Sequence, residues 1–237
     1  MRYMLKMTSV GLILLPFLSF SEDSCHPAFD ASLPQFIIGY GSLMNTKSKN
    51  RTDPKAGESI PIELQGFKRG FFTQGSTLRF PSTALGVIQQ MGSRFDAVTF
   101  QLDSASDILR YDDREISYCR QEVKITLMQS LGSSALPTGQ YWIYVQKNNT
   151  VSPATKQIPM TLSYVDEFLT GCLEIGEKYH LNNFAKDCIT STSDWSKYWV
   201  NDRIFPRRPR ANQPNANIID QLLMDLVPNQ FGQIQIE

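Results

Sequence analysis

The stretch that decides the fold is Gln35-Phe36-Ile37-Ile38-Gly39-Tyr40-Gly41-Ser42-Leu43. Its apolar, β-forming start predicts a buried strand. The glycines that follow let the chain turn sharply and expose backbone N–H groups, which can hold a carboxylate or an oxyanion. The stretch is not a dinucleotide-binding motif, because Met44 stands where a third glycine is required, and Ser42 does not lie in G-x-S-x-G. A purely structural strand-to-turn junction is the alternative interpretation.

Along the chain after this strand, the spacing of apolar residues is first typical of strands and then typical of helices. Alternating or apolar segments predict strands at 60–64, 68–74, 84–90, 96–102, 121–127 and 139–145. Apolar residues at helical spacing predict an amphipathic helix over 162–179, and shorter helices over 182–190 and 218–226. Ser104 and Asp107 have the spacing of an N-terminal cap for a helix over 104–114. With no repeat and no linker in the chain, we expect one α+β domain with a C-terminal extension.

The composition excludes several classes of function. The chain has 237 residues with 23 basic and 23 acidic side chains, so its net charge is zero. This balance argues against binding to nucleic acid or to an anionic membrane through a large positively charged surface. The two histidines, His26 and His180, lie in no metal-binding pattern and are poor candidates for a Ser-His-Asp triad. We therefore expect no metal and no cofactor, and chemistry that rests on carboxylates, tyrosines and backbone amides.

Residues 1–21 have the layout of a secretory signal peptide. Arg2 and Lys6 are followed by an uncharged run from Met7 to Phe20, which is short for a membrane span of about 20 residues. An uncleaved anchor and a buried first helix are the alternatives. We expect export to a periplasm or out of the cell, with no membrane attachment after cleavage. Removal of the segment changes the net charge from zero to −2.

The cysteines all lie beyond that segment, at Cys25, Cys119, Cys172 and Cys188. An even number of cysteines in an exported chain predicts disulfides, although three pairings are possible. The pair Cys172 and Cys188 closes the shortest loop and is our preferred bond. Buried free thiols are the alternative. There is no C-x-x-C pattern to support a zinc site or a thioredoxin-like function.

Two charged segments are further candidates for chemistry. Residues 111–118 include two aspartates, Arg114 and Glu115. A single carboxylate can act first as base and then as acid if its pocket favours the neutral form, whereas a solvated helix end is the structural alternative. Residues 199–210 include four arginines. These side chains can bind an anion, or they can clasp carboxylates and carbonyls of the domain.

Taken together, these segments resemble the γ-glutamylcyclotransferase-like family. The resemblance covers about 35–190 and rests on the Tyr40–Leu43 loop, the Arg114-Glu115 pair with Tyr118, the aromatic strand 141–145, and the pattern of Pro159, Tyr164 and Gly171. One departure is that Met160 or Thr161 occupies the place of the family's serine. The resemblance implies a mixed β-barrel with flanking helices for 35–190. Residues 191–237 then form an extension that packs on the domain.

The same resemblance implies a lyase- or acyltransferase-type enzyme that releases 5-oxoproline from a γ-glutamyl amine or peptide, without water, metal or cofactor. Glu115 matches the family's catalytic glutamate and would carry protons as general acid and base. The implied substrate-binding residues are Tyr40, Gly41, Ser42, Leu43, Tyr144 and Tyr164. The expected partner is a small γ-glutamyl molecule, as in glutathione metabolism.

Three other interpretations remain open at this point. The chain could be a non-catalytic exported protein that holds a γ-glutamyl or amino-acid ligand in the same pocket. It could be another γ-glutamyl transferase or amine cyclotransferase on the same fold. It could also be an interaction protein that uses the arginines of 203–210. The sequence leaves the leaving amine, the oligomeric state and the final compartment undetermined.

Overall fold

A computed structural model describes residues 25–77, 80–208 and 214–236, which contain ten strands and six helices. The strands are β1 (Gln35–Gly39), β2 (Ile60–Thr77), β3 (Phe80–Gln101), β4 (Tyr118–Val123), β5 (Met128–Ser130), β6 (Gln140–Gln146), β7 (Met160–Thr161), β8 (Thr192–Ser193), β9 (Trp199–Asn201) and β10 (Gln235–Ile236). The helices are α1 (Thr46–Thr52), α2 (Ile108–Arg114), α3 (Leu162–Tyr179), α4 (Phe184–Thr190), α5 (Ala216–Leu226) and α6 (Pro228–Phe231). The predicted signal peptide lies outside the described residues.

The sheet is built on a long antiparallel hairpin of β2 and β3. The two strands pair from Ile60, opposite Thr99, to Thr77, opposite Phe80. From the sequence we expected four shorter strands here, and they merge in pairs. Gly66 and Gly92 both have positive φ and lie in a register shift of the ladder. Glycine adopts that backbone conformation without steric cost, so each strand bulges and then continues.

From the hairpin, β3 connects into a ten-stranded mixed sheet. β1 lies beside it, antiparallel to β3 and parallel to β6. The hydrogen-bonded path runs β10-β9-β7-β3-β1-β6-β4, and β2 branches from β3 to pair with β5 and β8. The predicted α+β class with flanking helices is confirmed, and the strands that were expected to form a mixed β-barrel belong to one large mixed sheet. Among the described residues the pairings form an open, branched path rather than a closed ring.

The strand predicted at 121–127 is only partly correct. β4 ends at Val123, which lies opposite Tyr141, one residue from the start of β6. The chain then makes a 3-10 turn and pairs with β2 through β5. Alternation of apolar residues marks a half-buried face, but it does not tell where a strand changes partner.

The long helix α3 has the predicted bounds and forms the centre of the core. Its fully buried apolar residues are Leu162, Val165, Phe168, Leu169, Cys172 and Ile175. Burial of this face stabilises the helix far more than helix propensity does. The predicted disulfide between Cys172 and Cys188 is present and joins α3 to α4. A second disulfide joins Cys25 to Cys119 of β4.

The sheet continues beyond residue 190. β8 pairs with β2, and β9 pairs with β7 and β10. Trp199 in β9 is 1% exposed and packs in the core. The boundary drawn at 190 stays a prediction. None of the helices in the described part of the chain is long and apolar enough to cross a membrane.

Candidate functional site

A cavity of about 670 Å³ lies between the loop after β1, the β2/β3 hairpin, the end of α2 and the start of α3. The structure brings every predicted site residue to its wall: Tyr40, Gly41, Ser42, Leu43, Glu115, Tyr144 and Tyr164. Five further lining residues are charged or are tyrosines and were given no site role from the sequence: Arg51, Arg114, Tyr118, Glu167 and Arg208.

The loop after β1 forms one wall. The strand ends at Gly39, and Ser42–Met44 form a single 3-10 turn. Gly41 lies directly against Tyr164, because a Cβ atom at this position would stand 2.8 Å from the Tyr164 hydroxyl. A larger residue would therefore displace Tyr164. The glycine is required here by this close approach.

Glu115 directly follows α2, and its backbone N–H donates to the carbonyl of Tyr111. Its side chain is 18% exposed. Burial raises the pKa of Glu115 above its ordinary value, and the positive charges of Arg114 and Arg208 only partly offset that rise. A carboxyl in this environment can hold a proton and release it during a reaction.

The neighbouring aspartates do not share this position. Asp112 accepts hydrogen bonds from Arg120 and from the Tyr144 hydroxyl, and Asp113 is exposed. Of the three acids in this segment, Glu115 is the one that lines the cavity.

Arg114 connects Glu115 to the loop. Its Nε donates to Glu115 Oε1 over 3.0 Å, and one terminal nitrogen donates to Ser42 Oγ over 3.0 Å. The other terminal nitrogen donates to the Ser48 carbonyl and to Thr52 Oγ1. Arg114 thus holds the carboxyl and the loop in one arrangement. The family motif contained this arginine, but its contact with Ser42 is visible only in the folded chain.

The tyrosines of the cavity are held by hydrogen bonds within the protein. The Tyr40 hydroxyl donates to the Tyr144 carbonyl over 2.7 Å, and the Tyr144 hydroxyl donates to Asp112. The Tyr164 hydroxyl accepts from the Leu85 N–H, and burial raises the pKa of Tyr164 to about 12. These tyrosines are neutral at physiological pH. Tyr40 and Tyr144 shape the wall with their rings, since their hydroxyl protons are already donated.

A second ion pair also lines the cavity. Arg51 of α1 donates to Glu167 Oε1, and Glu167 is almost fully buried. The other oxygen of this carboxylate has no hydrogen-bond partner within the described residues. Glu167 lies three residues after Tyr164 on α3, and residues at this spacing share a helix face. That spacing is the signal by which Glu167 could have been found from the sequence.

The arginine-rich segment serves two purposes. Arg203 donates to both Asp166 and Asp220, and Arg207 donates to the Pro81 carbonyl. The prediction that the arginines bond carboxylates and carbonyls of the protein itself is confirmed for these two residues. Arg208 instead lines the cavity, with its guanidinium carbon 4.9 Å from the centre of the Tyr164 ring.

No cluster of three or more histidine, cysteine, aspartate or glutamate side chains within residues 25–77, 80–208 and 214–236 could hold a metal ion. The polar side chains that line the cavity carry carboxyl, guanidinium, hydroxyl and carboxamide groups. This set suits proton transfer and the binding of a charged small molecule.

Comparison with known proteins supports the fold. No protein-family model matches the sequence, and no curated protein matches it significantly. Among solved structures, one described as gamma-glutamyl cyclotransferase is similar with a TM-score of 0.52 and 16% identity, over 79% of this chain and 99% of that chain. An uncharacterized human protein is similar with a TM-score of 0.50 and 18% identity, over 64% of this chain and 85% of that chain. At these identities the likeness shows the fold, and the chain therefore has the γ-glutamylcyclotransferase-like fold that its loop and Arg-Glu pair led us to expect.

Proposed function

We propose that this chain is a γ-glutamylcyclotransferase-type enzyme that releases 5-oxoproline from a γ-glutamyl amine or peptide. One observation carries the proposal. Glu115, whose pKa is raised by burial, shares a cavity with the loop after β1 and is tied to it through Arg114. The fold likeness to a structure described as gamma-glutamyl cyclotransferase supports the same activity.

The proposed reaction is intramolecular. The neutral α-amine of the substrate attacks its own γ-carbonyl carbon, so that a C–N bond forms and the carbonyl oxygen becomes an oxyanion. Glu115 takes the proton that this nitrogen loses. The bond to the departing nitrogen then breaks, and Glu115 returns the proton to the leaving amine. Atoms and charges balance without water or a redox partner. Much of the rate comes from holding the substrate in a folded conformer.

The loop after β1 is the proposed γ-glutamyl site. In this role its backbone N–H groups hold the α-carboxylate or the developing oxyanion. Arg114 is a positioning residue that acts through Glu115 and Ser42. The rings of Tyr40, Tyr144 and Tyr164 shape the walls of the cavity.

The test is a direct assay of purified residues 22–237, with its disulfides formed. γ-Glutamyl dipeptides, γ-glutamyl amines and glutathione are offered, and 5-oxoproline is measured by mass spectrometry. We expect release from at least one of them. Glu115→Gln keeps the shape of the side chain but cannot take up a proton, so we expect a loss of at least about 100-fold.

Asp113→Asn is the matched control, because it removes a carboxylate two residues away that is exposed and does not line the cavity. We expect it to keep full activity. A folded wild-type protein that releases no 5-oxoproline from any of these compounds would contradict the proposal. If that protein binds a γ-glutamyl compound unchanged, as titration calorimetry would show, it is the binding protein considered as the alternative.

We also propose that the chain works after export, as its first 21 residues predict. The two disulfides support this proposal, since such bonds persist in oxidising compartments. When the full chain is expressed with a secretory system, we expect the exported protein to begin at Glu22 and to contain no free thiol. Intact mass and N-terminal sequencing measure both. A product that keeps Met1 and stays in the cell would exclude export.

A further inference from the structure

Arg208 brings an unneutralised positive charge to the wall of the cavity. Its guanidinium stacks on the Tyr164 ring at 4.9 Å, and its backbone N–H donates to Ser163 Oγ over 3.3 Å. Within the described residues, no carboxylate lies within ion-pair distance of this guanidinium. Arg208 is thus held in place without being paired. It comes from the segment that lies outside the resemblance to the γ-glutamylcyclotransferase-like family.

The other charges that line the cavity are already paired. Arg114 forms an ion pair with Glu115, and Arg51 forms one with Glu167. Arg208 is the third cation, so the described lining carries a net charge of +1 when both carboxyls are ionised. Protonation of Glu115 makes the cavity more positive still. Because charges in a partly buried cavity are weakly screened, such a cavity favours a ligand of net negative charge.

The γ-glutamyl group by itself does not supply that charge. In the form that binds from solution, before the amine loses its proton and attacks, its α-carboxylate and α-ammonium cancel, so any excess negative charge in that form must come from the leaving amine. An amino acid or peptide joined to the γ-carboxyl carries a second carboxylate, whereas a simple alkylamine carries none. An arginine guanidinium binds a carboxylate through two parallel hydrogen bonds.

The position of Arg208 fits this second carboxylate. The Tyr164 hydroxyl lies against Gly41 of the proposed γ-glutamyl site, while Arg208 stacks on the ring of the same tyrosine. Tyr164 therefore contacts both the γ-glutamyl site and the free cation. A substrate seated at Gly41 would extend along this ring toward Arg208.

Building on the proposed function, we propose that Arg208 is a specificity-determining residue. It binds the carboxylate of the leaving amine and so selects γ-glutamyl amino acids and peptides over γ-glutamyl alkylamines. In this proposal the loop after β1 binds the γ-glutamyl end of the substrate. The C-terminal segment, through Arg208, binds the leaving-amine end.

Two substrates that differ only in that carboxylate test the proposal. γ-Glutamylalanine and γ-glutamylethylamide have the same γ-glutamyl group, and their leaving amines differ by one carboxylate. We expect Arg208→Ala to lower kcat/KM for γ-glutamylalanine by about 10- to 100-fold, the size of a hydrogen-bonded charge pair. For γ-glutamylethylamide, measured at a pH above the acid limb of both proteins so that the effect of Arg208 on the pKa of Glu115 does not enter, we expect a change below about threefold. Arg208→Lys keeps the charge and should restore part of the loss.

Arg207→Ala is the matched control. The side chain of Arg207 contacts Pro81 and does not line the cavity. Its backbone N–H donates to Asp202, and the alanine variant keeps this bond, so the segment should stay in place and the ratio of the two substrates should stay as in the wild type. An equal loss on both substrates, or no loss on either, overturns the role of Arg208 while the proposed function stands. If the wild type converts neither these two compounds nor the wider panel, the proposed function itself fails, and this inference fails with it.

Discussion

At Glu115, burial and a neighbouring charge act on the same carboxyl in opposite directions. Burial raises its pKa, and the hydrogen-bonded Arg114 guanidinium lowers it by less. The ionised form is the base that starts the proposed reaction, so kcat/KM should fall as the pH drops through this raised pKa. We expect the acid limb of the pH profile to lie above pH 4.5, the ordinary value for a glutamate.

Arg114→Gln tests this balance. Without the guanidinium, the ionised carboxyl loses its main stabilising partner, so the pKa of Glu115 rises and the acid limb should move to higher pH. The plateau of kcat/KM should also fall by about tenfold or more, because Ser42 and Glu115 are no longer held together. The measurement is kcat/KM against pH, from about pH 4 to 9.

Arg94→Gln is a suitable comparison, since it removes a guanidinium that is 71% exposed and pairs with Glu63 outside the cavity. Its acid limb should match that of the wild type. A fall in the plateau of Arg114→Gln with no movement of the limb would mean that Arg114 positions the loop but does not control the Glu115 proton.

Among the secondary-structure elements, the first and last residues of α3 could be predicted from the sequence. The length of the two strands in the β2/β3 hairpin could not. A helix that buries one face repeats its apolar residues every three or four positions, and this local pattern ends where the helix ends. In the hairpin, Gly66 and Gly92 look like breaks in the sequence. In the structure they have positive φ and lie in bulges, and the two strands continue to pair on both sides of these bulges.

In the cavity, too, the residues in short sequence motifs could be predicted, whereas a residue brought in by the folding of a distant segment could not. The loop, Glu115 and the tyrosines could be predicted, because short motifs in a fixed order resemble those of a known family. Arg208 could not be assigned a place. Its contact with Tyr164 joins residues 44 positions apart in the sequence, and no local pattern shows where the chain passes after α4. The four arginines of its segment look alike in the sequence, although one lines the cavity and two clasp the domain.

Across the whole molecule, the C-terminal segment is bonded to the start of α3. The side chain of Asp202, which is 1% exposed, accepts the N–H of Ser163 over 2.8 Å and its hydroxyl over 2.6 Å. A carboxylate at the beginning of a helix satisfies free N–H groups and interacts favourably with the helix dipole. Ser163 precedes Tyr164, so this bond helps to hold the cavity wall as well as the segment.

Arg203 also fastens this segment to the domain. Its guanidinium bridges Asp166 of α3, whose side chain is fully buried, and Asp220 of α5. Loss of one partner from a buried pair leaves the other charge uncompensated. We expect Arg203→Ala to lower the free energy of unfolding by about 3 kcal/mol, measured by urea denaturation of the oxidised protein.

The double variant Arg203→Ala, Asp166→Asn separates the pair from general packing. With Asp166 replaced by a neutral amide, no unpaired buried charge remains, so the second substitution should recover part of the stability that the first one removes. If the effects of the two single variants simply add, Arg203 stabilises the protein through packing alone. Because the pair fastens the segment that carries Arg208, Arg203→Ala should also weaken discrimination between γ-glutamylalanine and γ-glutamylethylamide, even at temperatures where the protein remains folded.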